Sequence, residues 1–299
     1  MNTRLFYTTG KRDIIEEEWD KPDPTADEIE VRSIFTGVCR SDIDMYLGNF
    51  QTLPKHIQGH ESLGVVTKVG DNITDVKEGD YVATRGEPAF ADYYNCKDEM
   101  FVKVPVVDPK YIIEPVACGI NIAMNMEVVS TSDIVILGSG FLATIIYTML
   151  NKHYRSKVIV VGSANTDFWK DKKNVQQVGA DYLVGKKFDY VIDVSEKAEY
   201  VNMDMYNPNC TIVMAAEKHP VAQTSFSQFL WNAVTIKFPS PRNNTFHYAM
   251  STAVDYIEEG IIDVSSLWTK SYKRDTEVKL AFEEGIARPC GYSRGYIAW

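Results

Sequence analysis

The feature that most constrains this chain is a glycine-rich turn between an apolar run and a helical segment. The run Ile134–Leu137 leads into Gly138, Gly140 and Ala143, which follow the pattern G-x-G-x-x-A. The first glycine permits a tight bend, the second lets a pyrophosphate approach the backbone, and the small third residue lets the helix pack close to the strand. A second apolar run, 157–161, follows the helix, so the order predicts a βαβ unit that binds a dinucleotide. The alternative is a glycine turn with a structural role only.

The residues around this turn also indicate which dinucleotide is bound. The helix begins at Phe141 and Leu142, and its free N–H groups and partial positive charge would hold the phosphates. At the end of the second strand, where an Asp or Glu commonly binds the ribose 2′-hydroxyl, the chain has Gly162, Ser163 and Asn165. Without a carboxylate there is no repulsion against a 2′-phosphate. This loop therefore favours NADP over NAD.

Six short runs rich in β-branched residues lie between residues 134 and 238, and helical or polar stretches separate several of them. Continuous apolar strands that alternate with helices indicate a parallel sheet covered on both faces. We therefore predict a doubly wound Rossmann domain over residues 116–254. The predicted strands are 134–137, 157–162, 181–184, 189–194, 211–216 and 234–238.

The first hundred residues have a different pattern, with frequent Gly and Pro and short alternating runs. The runs 28–35, 62–70 and 80–86 predict strands of an all-β unit. The end of the chain returns to short mixed elements, which we expect to complete this first domain. The predicted organisation is a β-rich domain over 1–115, completed by 255–299, with the Rossmann domain inserted between its two parts.

Composition and charge exclude several classes of protein. The 299 residues include 31 Lys plus Arg and 41 Asp plus Glu, a net charge of −10, which argues against binding to a nucleic-acid backbone. The five cysteines are few, odd in number and widely spaced, so they do not indicate a disulfide framework. The N-terminal segment has no signal-peptide core, and the longest apolar stretch is short for a membrane span. We therefore expect a cytoplasmic protein with no membrane or nucleic-acid partner.

Three blocks in the first domain resemble those of the zinc-dependent medium-chain alcohol/polyol dehydrogenases. They are G-x-C-x-S-D from Gly37, G-H-E-x-x-G-x-V-x-x-V-G from Gly59, and K-x-G-D-x-V-A from Lys77. The later blocks IIEPVACGI, ILGSGFLA, GADYLV and FDYVIDV occur in that family's order, so the resemblance covers nearly the whole chain. It implies an α/β protein with a GroES-like catalytic domain plus a Rossmann domain. The implied activity is NAD(P)-dependent oxidation of a small alcohol, polyol or sugar, or reduction of the matching carbonyl.

By that resemblance, Cys39 and His60 are ligands of one catalytic zinc, and Glu61 and Glu114 are candidates for the remaining protein positions. Zinc takes thiolate, imidazole and carboxylate ligands in a tetrahedral set, and a catalytic site leaves one position open. One thiolate and one carboxylate neutralise the ion, whereas both glutamates together would make a weaker Lewis acid. We therefore expect only one glutamate to bind tightly. Asp42 would orient the ligand histidine.

Two departures from the family pattern bear on the chemistry. Many members carry a four-cysteine lobe for a structural zinc, but only Cys96 lies near that position, so we predict no structural zinc. The family often has a proton-relaying histidine shortly after Ser-Asp, and here Asp44 occupies its place. As the resemblance implies, Ser41 would accept the substrate proton and pass it to the ribose hydroxyls or to Asp44.

The substrate and the charged groups that bind it are less defined by these motifs. The Glu-Pro pair at Glu114 resembles the polyol and sugar branch of the family more than the simple-alcohol branch. Lys55 and Arg242 are positively charged, so a sugar phosphate is also a candidate substrate. Arg40 is a candidate for the cofactor pyrophosphate, and Arg242 for the nicotinamide or a substrate anion. For each arginine a surface salt bridge is the alternative.

Two other functions are consistent with the same fold. A zinc-free quinone or enone reductase would lack the Cys and G-H-E ligands that this chain has. A non-catalytic NADPH-binding sensor would fit Asp44 and a trimmed crossover, since only Gly185, Lys186 and Lys187 separate two of the predicted strands. Tight NADPH binding without turnover of any alcohol or carbonyl would identify the sensor.

The last predicted strand, 234–238, should lie at an edge of the Rossmann sheet. An uncovered edge can pair with another chain, and closed two-fold symmetry is the commonest arrangement of homo-oligomers. We therefore expect a homodimer, or a tetramer built from dimers. The alternative is a monomer whose edge is guarded by Lys237 and Pro239.

Overall fold

The computed structural model describes residues 2–49, 58–129, 131–153, 157–218 and 221–299. These form two compact units, one made of Met1–Ala117 with His247–Trp299 and the other of Cys118–Phe246. The chain thus leaves the first unit and returns to it after an insertion. The unit boundaries fall at 117/118 and 246/247, where the sequence pattern suggested 115/116 and 254/255.

The elements of both units are short, and four 3-10 turns supplement the helices. The strands are β1 (Asn2–Tyr7), β2 (Ile15–Asp20), β3 (Glu28–Gly37), β4 (Ser62–Val69), β5 (Tyr81–Thr84), β6 (Tyr93–Lys97), β7 (Phe101–Lys103), β8 (Ile134–Leu137), β9 (Val158–Val161), β10 (Val175–Val178), β11 (Phe188–Asp193), β12 (Tyr206–Met214), β13 (Thr235–Lys237), β14 (Trp268–Lys273) and β15 (Arg294–Ala298). The helices are α1 (Arg40–Tyr46), α2 (Glu114–Met124), α3 (Phe141–His153), α4 (Thr166–Lys170), α5 (Ser227–Trp231), α6 (Phe246–Glu258) and α7 (Val278–Ala287). The 3-10 turns are Pro109–Tyr111, Ala180–Leu183, Ala198–Asn202 and Ser265–Leu267.

The first unit is built on a seven-stranded sheet in the order β14-β15-β3-β4-β5-β7, with β6 paired to β3. All of these pairs are antiparallel except β14 with β15. The three strands predicted near the N-terminus are confirmed as β3, β4 and β5. Their inward side chains form an apolar core that includes Ile29, Val31, Val66 and Val82, together with Tyr94 of β6. The C-terminal strand β15 lies beside β3, so the two separated parts of the chain share one sheet.

The second unit contains a six-stranded sheet in the order β10-β9-β8-β11-β12-β13, and all of its pairs are parallel. The predicted α/β fold, with a GroES-like domain and a Rossmann sheet, is confirmed. The strand order reverses between β8 and β11, and such a reversal is where doubly wound sheets bind ligands. In the part of the chain that the structure describes, none of the helices is long and apolar enough to cross a membrane.

One predicted strand of this sheet is wrong. The apolar pattern at 181–184 predicts a strand, but the structure has the 3-10 turn Ala180–Leu183 there, and the edge strand is β10. The reason is that only Leu183 of this segment is buried against the sheet, while Val184 points to solvent. The sequence of β10, VQQV, is half polar and becomes a strand through its pairing with β9.

The crossover between β10 and β11 spans residues 179–187, so it is longer than the three residues that the sequence predicts, and it contains the Ala180–Leu183 turn but no α-helix. Long helix α3 covers one sheet face through Ile146, Tyr147 and Leu150. The opposite face is covered by short pieces of chain, including Leu183 and Phe229 of α5. Apolar burial does not need a full helix if each short segment contributes a large side chain.

Candidate active site

The start of α1 ties two of the sequence motifs together through one carboxylate. Asp42 is fully buried and accepts hydrogen bonds from the N–H of Cys39, at 2.9 Å, and from the N–H of Gly59, at 3.1 Å. Burial raises the pKa of Asp42, and these N–H groups act in the opposite direction. The arrangement places Cys39 at the beginning of α1 and brings His60 next to it.

Gly59 is required at its position for two reasons. Its φ of +74° is in the left-handed region, and a Cβ there would lie 2.7 Å from the backbone nitrogen of Phe90. The neighbouring His60 has Nδ1 at 3.7 Å from a carboxylate oxygen of Asp42. Burial by itself would lower the pKa of His60, but the charges of Asp42 and Cys39 raise it well above its ordinary value. The imidazole is therefore surrounded by negative groups.

Cys39, His60 and Glu61 bring a thiol, an imidazole and a carboxylate together. One ligand atom from each residue lies within 4.8 Å of the others. Oxygen Oε2 of Glu61 is buried and has no hydrogen-bond partner among the described residues, while Oε1 is paired with Arg294. A buried carboxylate oxygen without a partner is costly, and a cation would satisfy it. The donor set is one that zinc prefers, so these residues fit the implied metal.

Glu114 lies outside this three-residue cluster but within its electrostatic reach. It is the first residue of α2 and is buried. Burial raises its pKa to about 7, and the charge of His60 partly opposes this effect. The structure thus brings Cys39, His60 and Glu61 together and keeps Glu114 as a buried neighbour.

The remaining candidate residues of α1 are the polar side chains of Arg40, Ser41 and Asp44. Arg40 pairs with Asp44 across one helical turn, at 3.2 Å. Asp44 is buried and also accepts a hydrogen bond from the side-chain amide of Asn49, at 3.1 Å. Ser41 is half-buried on the same helix. Arg40, a candidate for the pyrophosphate, is therefore committed to a carboxylate of its own helix in this structure.

The glycine turn of the second unit has the open space that a phosphate needs. Gly138 has a φ of +114°, and a Cβ there would lie 3.0 Å from Cγ2 of Val194. A Cβ on Gly140, in contrast, would meet no atom within 4 Å. Phe141 and Leu142 begin α3 directly after the turn. This open glycine at the start of a helix fits a dinucleotide pyrophosphate.

The loop after β9 is fastened to the same turn. The hydroxyl of Ser139 accepts the N–H of Ala164 at 2.8 Å, and its carbonyl accepts the indole N–H of Trp169 at 3.1 Å. Gly162 has a φ of +146°, and a Cβ there would lie 2.6 Å from the Ser139 hydroxyl. Asn165 is in the left-handed region, at a φ of 52°. The loop is therefore fixed in one shape.

Two other predicted residues stand apart from these clusters. Ser163 is exposed on the loop that follows β9. Arg242 is also exposed, and its backbone N–H binds the hydroxyl of Ser240 at 3.1 Å. Lys55, a candidate contact for a sugar phosphate substrate, lies outside the described residues.

Known proteins resemble this chain in both sequence and structure. A family model described as "Alcohol dehydrogenase GroES-like domain" matches residues 25–106. The protein named "Probable D-xylulose reductase A" of Aspergillus clavatus is 26% identical over 86% of this chain and 86% of its own length. An alcohol dehydrogenase from Escherichia coli CFT073, solved with NADH, has a TM-score of 0.82 at 18% identity and covers 100% of this chain and 99% of its own. TarJ of S. aureus, solved with NADPH, has a TM-score of 0.80 at 19% identity with the same coverage.

Residues 25–106 therefore match an alcohol dehydrogenase GroES-like domain, and the similarity to dehydrogenases and reductases extends over most of the chain. The structure also identifies residues that position the side chains of these motifs. Gly37 of the G-x-C block is one, because a Cβ there would lie 2.4 Å from Oε2 of Glu61. A glycine at this position leaves room for the carboxylate beside the cluster.

One largely buried residue of the first unit has no counterpart among the predicted site residues. Arg294 of β15 pairs with Glu61 and lies over the ring of Trp268, at 5.5 Å from its centroid. Burial would lower the pKa of Arg294, but Glu61 and Cys39 raise it. The signal that could have found it is the excess of acidic groups, since Cys39, Glu61 and Glu114 together call for a nearby cation.

Proposed function

We propose that this protein is an NAD(P)-dependent zinc oxidoreductase that interconverts a small alcohol, polyol or sugar with the matching carbonyl compound. The observation that carries the proposal is the cluster of Cys39, His60 and Glu61, with an unpartnered carboxylate oxygen at its centre. A zinc-free quinone or enone reductase would have no use for this set of donors. The D-xylulose reductase relative supports a polyol or sugar as the substrate class.

The reaction divides between the metal, the nicotinamide and the protein. Bound zinc would act as a Lewis acid toward the substrate hydroxyl, and nicotinamide would take the hydride from the carbinol carbon. Cys39, His60 and one of the two glutamates, Glu61 or Glu114, would hold the metal. Asp42 keeps His60 in position through the hydrogen bonds that fix the two motifs.

The hydroxyl proton of the substrate needs a separate route. We assign its first acceptor to Ser41, which lies one residue after Arg40 on α1. The ribose hydroxyls of the cofactor or Asp44 would receive the proton next, and Asp44 is a buried carboxylate three residues further along the same helix. The proton leaves as the hydride leaves, so the alcohol loses two hydrogens and becomes a carbonyl.

The proposed metal is tested by composition and activity together. We expect about one zinc per chain by elemental analysis, with no structural zinc. Cys39→Ser should remove zinc and abolish cofactor reduction over a panel of polyols, sugars, sugar phosphates and secondary alcohols. Cys290→Ser is the matched control, because Cys290 is exposed and should be neutral. Full activity of metal-free protein would disprove the assignment.

We propose NADP as the preferred cofactor. The loop after β9 offers Ser163 and Asn165 and has no carboxylate before Asp167. The two similar structures were solved with different cofactors, NADH in one and NADPH in the other, so the preference depends on this loop. Phe141 and Leu142 at the start of α3 would contribute N–H groups to the pyrophosphate.

We also propose that the protein is a homodimer, or a tetramer of dimers, that forms through β13. This strand is last in the sheet order, so one of its sides has no partner strand among the described residues. Trp231, Leu230 and Phe238 beside it are 84%, 73% and 69% exposed. Apolar side chains of this size are stabilised by burial, and a second copy supplies both the strand and the cover. We also propose a cytoplasmic location, since the five cysteines are few, odd in number and widely spaced.

A further inference from the structure

A buried ion pair lies at the ligand-binding edge of the second unit. Asp193 is the last residue of β11, and its register partner on β8 is Leu137, the residue before Gly138. The next residue, Val194, donates its N–H to the carbonyl of Leu137 at 3.0 Å and lies against Gly138. Asp193 and Val194 therefore lie beside the first residues of the glycine turn, at one strand spacing of about 4.8 Å.

Lys218, in the segment that follows β12, reaches back to this edge. Its ammonium lies 2.8 Å from one oxygen of Asp193 and also donates to the carbonyl of Ser195. The other oxygen of Asp193 accepts the N–H of Ser195 at 3.0 Å and its hydroxyl at 2.9 Å. The side chains of Lys218 and Asp193 are only 7% and 3% exposed.

Stability alone is a weak reason to keep this pair. The desolvation of two buried charges costs several kcal/mol, and apolar replacements of such pairs are often neutral or stabilising. Two of the three N–H groups of Lys218 have acceptors, and the third has none among the described residues. Lysine binds phosphate as a point charge, so an oriented ammonium beside a phosphate-binding turn has a use.

We propose that Lys218 binds a phosphate of the dinucleotide, on the side of the nicotinamide. This inference rests on the proposed function, in which the second unit binds NAD(P). The ribose-binding loop follows β9, on the other side of the glycine turn, so β11 and β12 face the second mononucleotide. Asp193 and Ser195 are positioning residues that hold the ammonium toward the turn.

The test measures binding of NADH and NADPH by fluorescence titration, without any turnover. Lys218→Met should weaken both by about tenfold or more, since a hydrogen bond to a charged group is lost. Lys218→Arg keeps the charge and should retain most of the affinity. Lys187→Met is the matched control, because Lys187 also pairs with an aspartate, Asp204, but is exposed. It should bind as the wild type does.

A second variant separates cofactor binding from charge balance. Asp193→Asn combined with Lys218→Met removes both buried charges, so its Tm should recover toward that of the wild type while NADH binding stays weak. If this double variant, or Lys218→Met itself, binds NADH as tightly as the wild type does, the inference is overturned. If the wild type binds neither NADH nor NADPH, the proposed function fails instead. A single variant that does not fold leaves the double variant to decide.

Discussion

Arg294 and Arg12 each pair with a glutamate, and their surroundings predict opposite outcomes when the pair is broken. The side chains of Arg294 and Glu61 are 12% and 1% exposed, whereas those of Arg12 and Glu283 are 56% and 34% exposed. In metal-free protein, Arg294→Met should lower the free energy of unfolding by about 3–5 kcal/mol, because Glu61 keeps a buried charge without its partner. Arg12→Met should leave the free energy of unfolding nearly unchanged, because solvent screens the exposed pair. Urea unfolding measures both, and equal losses would contradict the role of burial.

The cofactor preference is best tested at Ser163. Gly162 is unsuitable, because its positive φ and the nearby Ser139 hydroxyl leave no room for a side chain. Ser163→Asp should shift the ratio of NADP to NAD affinity toward NAD by at least about tenfold, since the carboxylate repels a 2′-phosphate. Ser163→Asn has the same shape without the charge and should keep the wild-type ratio. A wild type with clearly better catalytic efficiency on NAD would refute the preference.

Asp13, in the loop between β1 and β2, makes a contribution to the free energy of unfolding that depends on pH. Partial burial would raise its pKa, but hydrogen bonds from Thr9 and Thr8 lower it from 3.8 to about 2. A lowered folded-state pKa means that the contribution is complete above the unfolded-state value and is lost as the pH falls toward about 2. The free energy of unfolding of wild type should therefore exceed that of Asp13→Asn at neutral pH, with the difference shrinking between about pH 4 and pH 2. A difference that stays constant over this range would count against it.

At the scale of elements, the 3-10 turn Ala180–Leu183 covers part of one face of the parallel sheet through a single side chain. Leu183 is 1% exposed, and the adjacent Val184 is 76% exposed. Leu183→Ala should lower the free energy of unfolding by about 2–5 kcal/mol, because it leaves a cavity under the sheet. Val184→Ala should change it by no more than about 0.5 kcal/mol. Denaturant unfolding of this neighbouring pair tests whether the turn covers the sheet.

The same turn shows how far the sequence predicts elements. Strands β8 and β9 are apolar along their whole length because both faces are buried, so their pattern is readable. The edge strand β10 has a neighbour on one side only and can be half polar, so hydrophobicity does not reveal it. The 3-10 turn has the composition of a strand because one leucine must be buried. Burial, rather than pairing, produced the misleading pattern.

For the candidate site, the sequence predicts the side chains that could bind a metal, but it does not predict the cations that pair with the buried carboxylates. Cys39, His60 and Glu61 lie in blocks with fixed spacing, so their types and order suffice. Arg294 and Lys218 lie far along the chain from the carboxylates that they neutralise. Their partners are set by sheet registers and by a returning loop, and these distances are invisible before the chain is folded.

At the scale of the whole molecule, the exposed apolar side chains beside β13 predict the oligomeric state. Trp231→Glu should convert the proposed dimer to a 33.8 kDa monomer in sedimentation at micromolar concentration, since it places a charge in the contact. Val184→Glu is the control, because it also charges an exposed apolar residue but lies in the β10–β11 crossover. A wild type that sediments as a monomer at this concentration would decide against the dimer.

The return of the chain to its first unit makes the completion of the cluster of Cys39, His60 and Glu61 a late event in biosynthesis. Glu61 leaves the ribosome early, whereas Arg294 follows the whole inserted unit and belongs to a strand that lies inside the first sheet. Domains generally fold as units during synthesis, and contacts between distant parts of a sequence form slowly. The inserted unit can therefore fold while the first unit still waits for β15. A nascent chain stopped before Arg294 would contain all three cluster residues and yet expose an unpaired glutamate, so quality-control proteases would meet an open sheet rather than a finished enzyme.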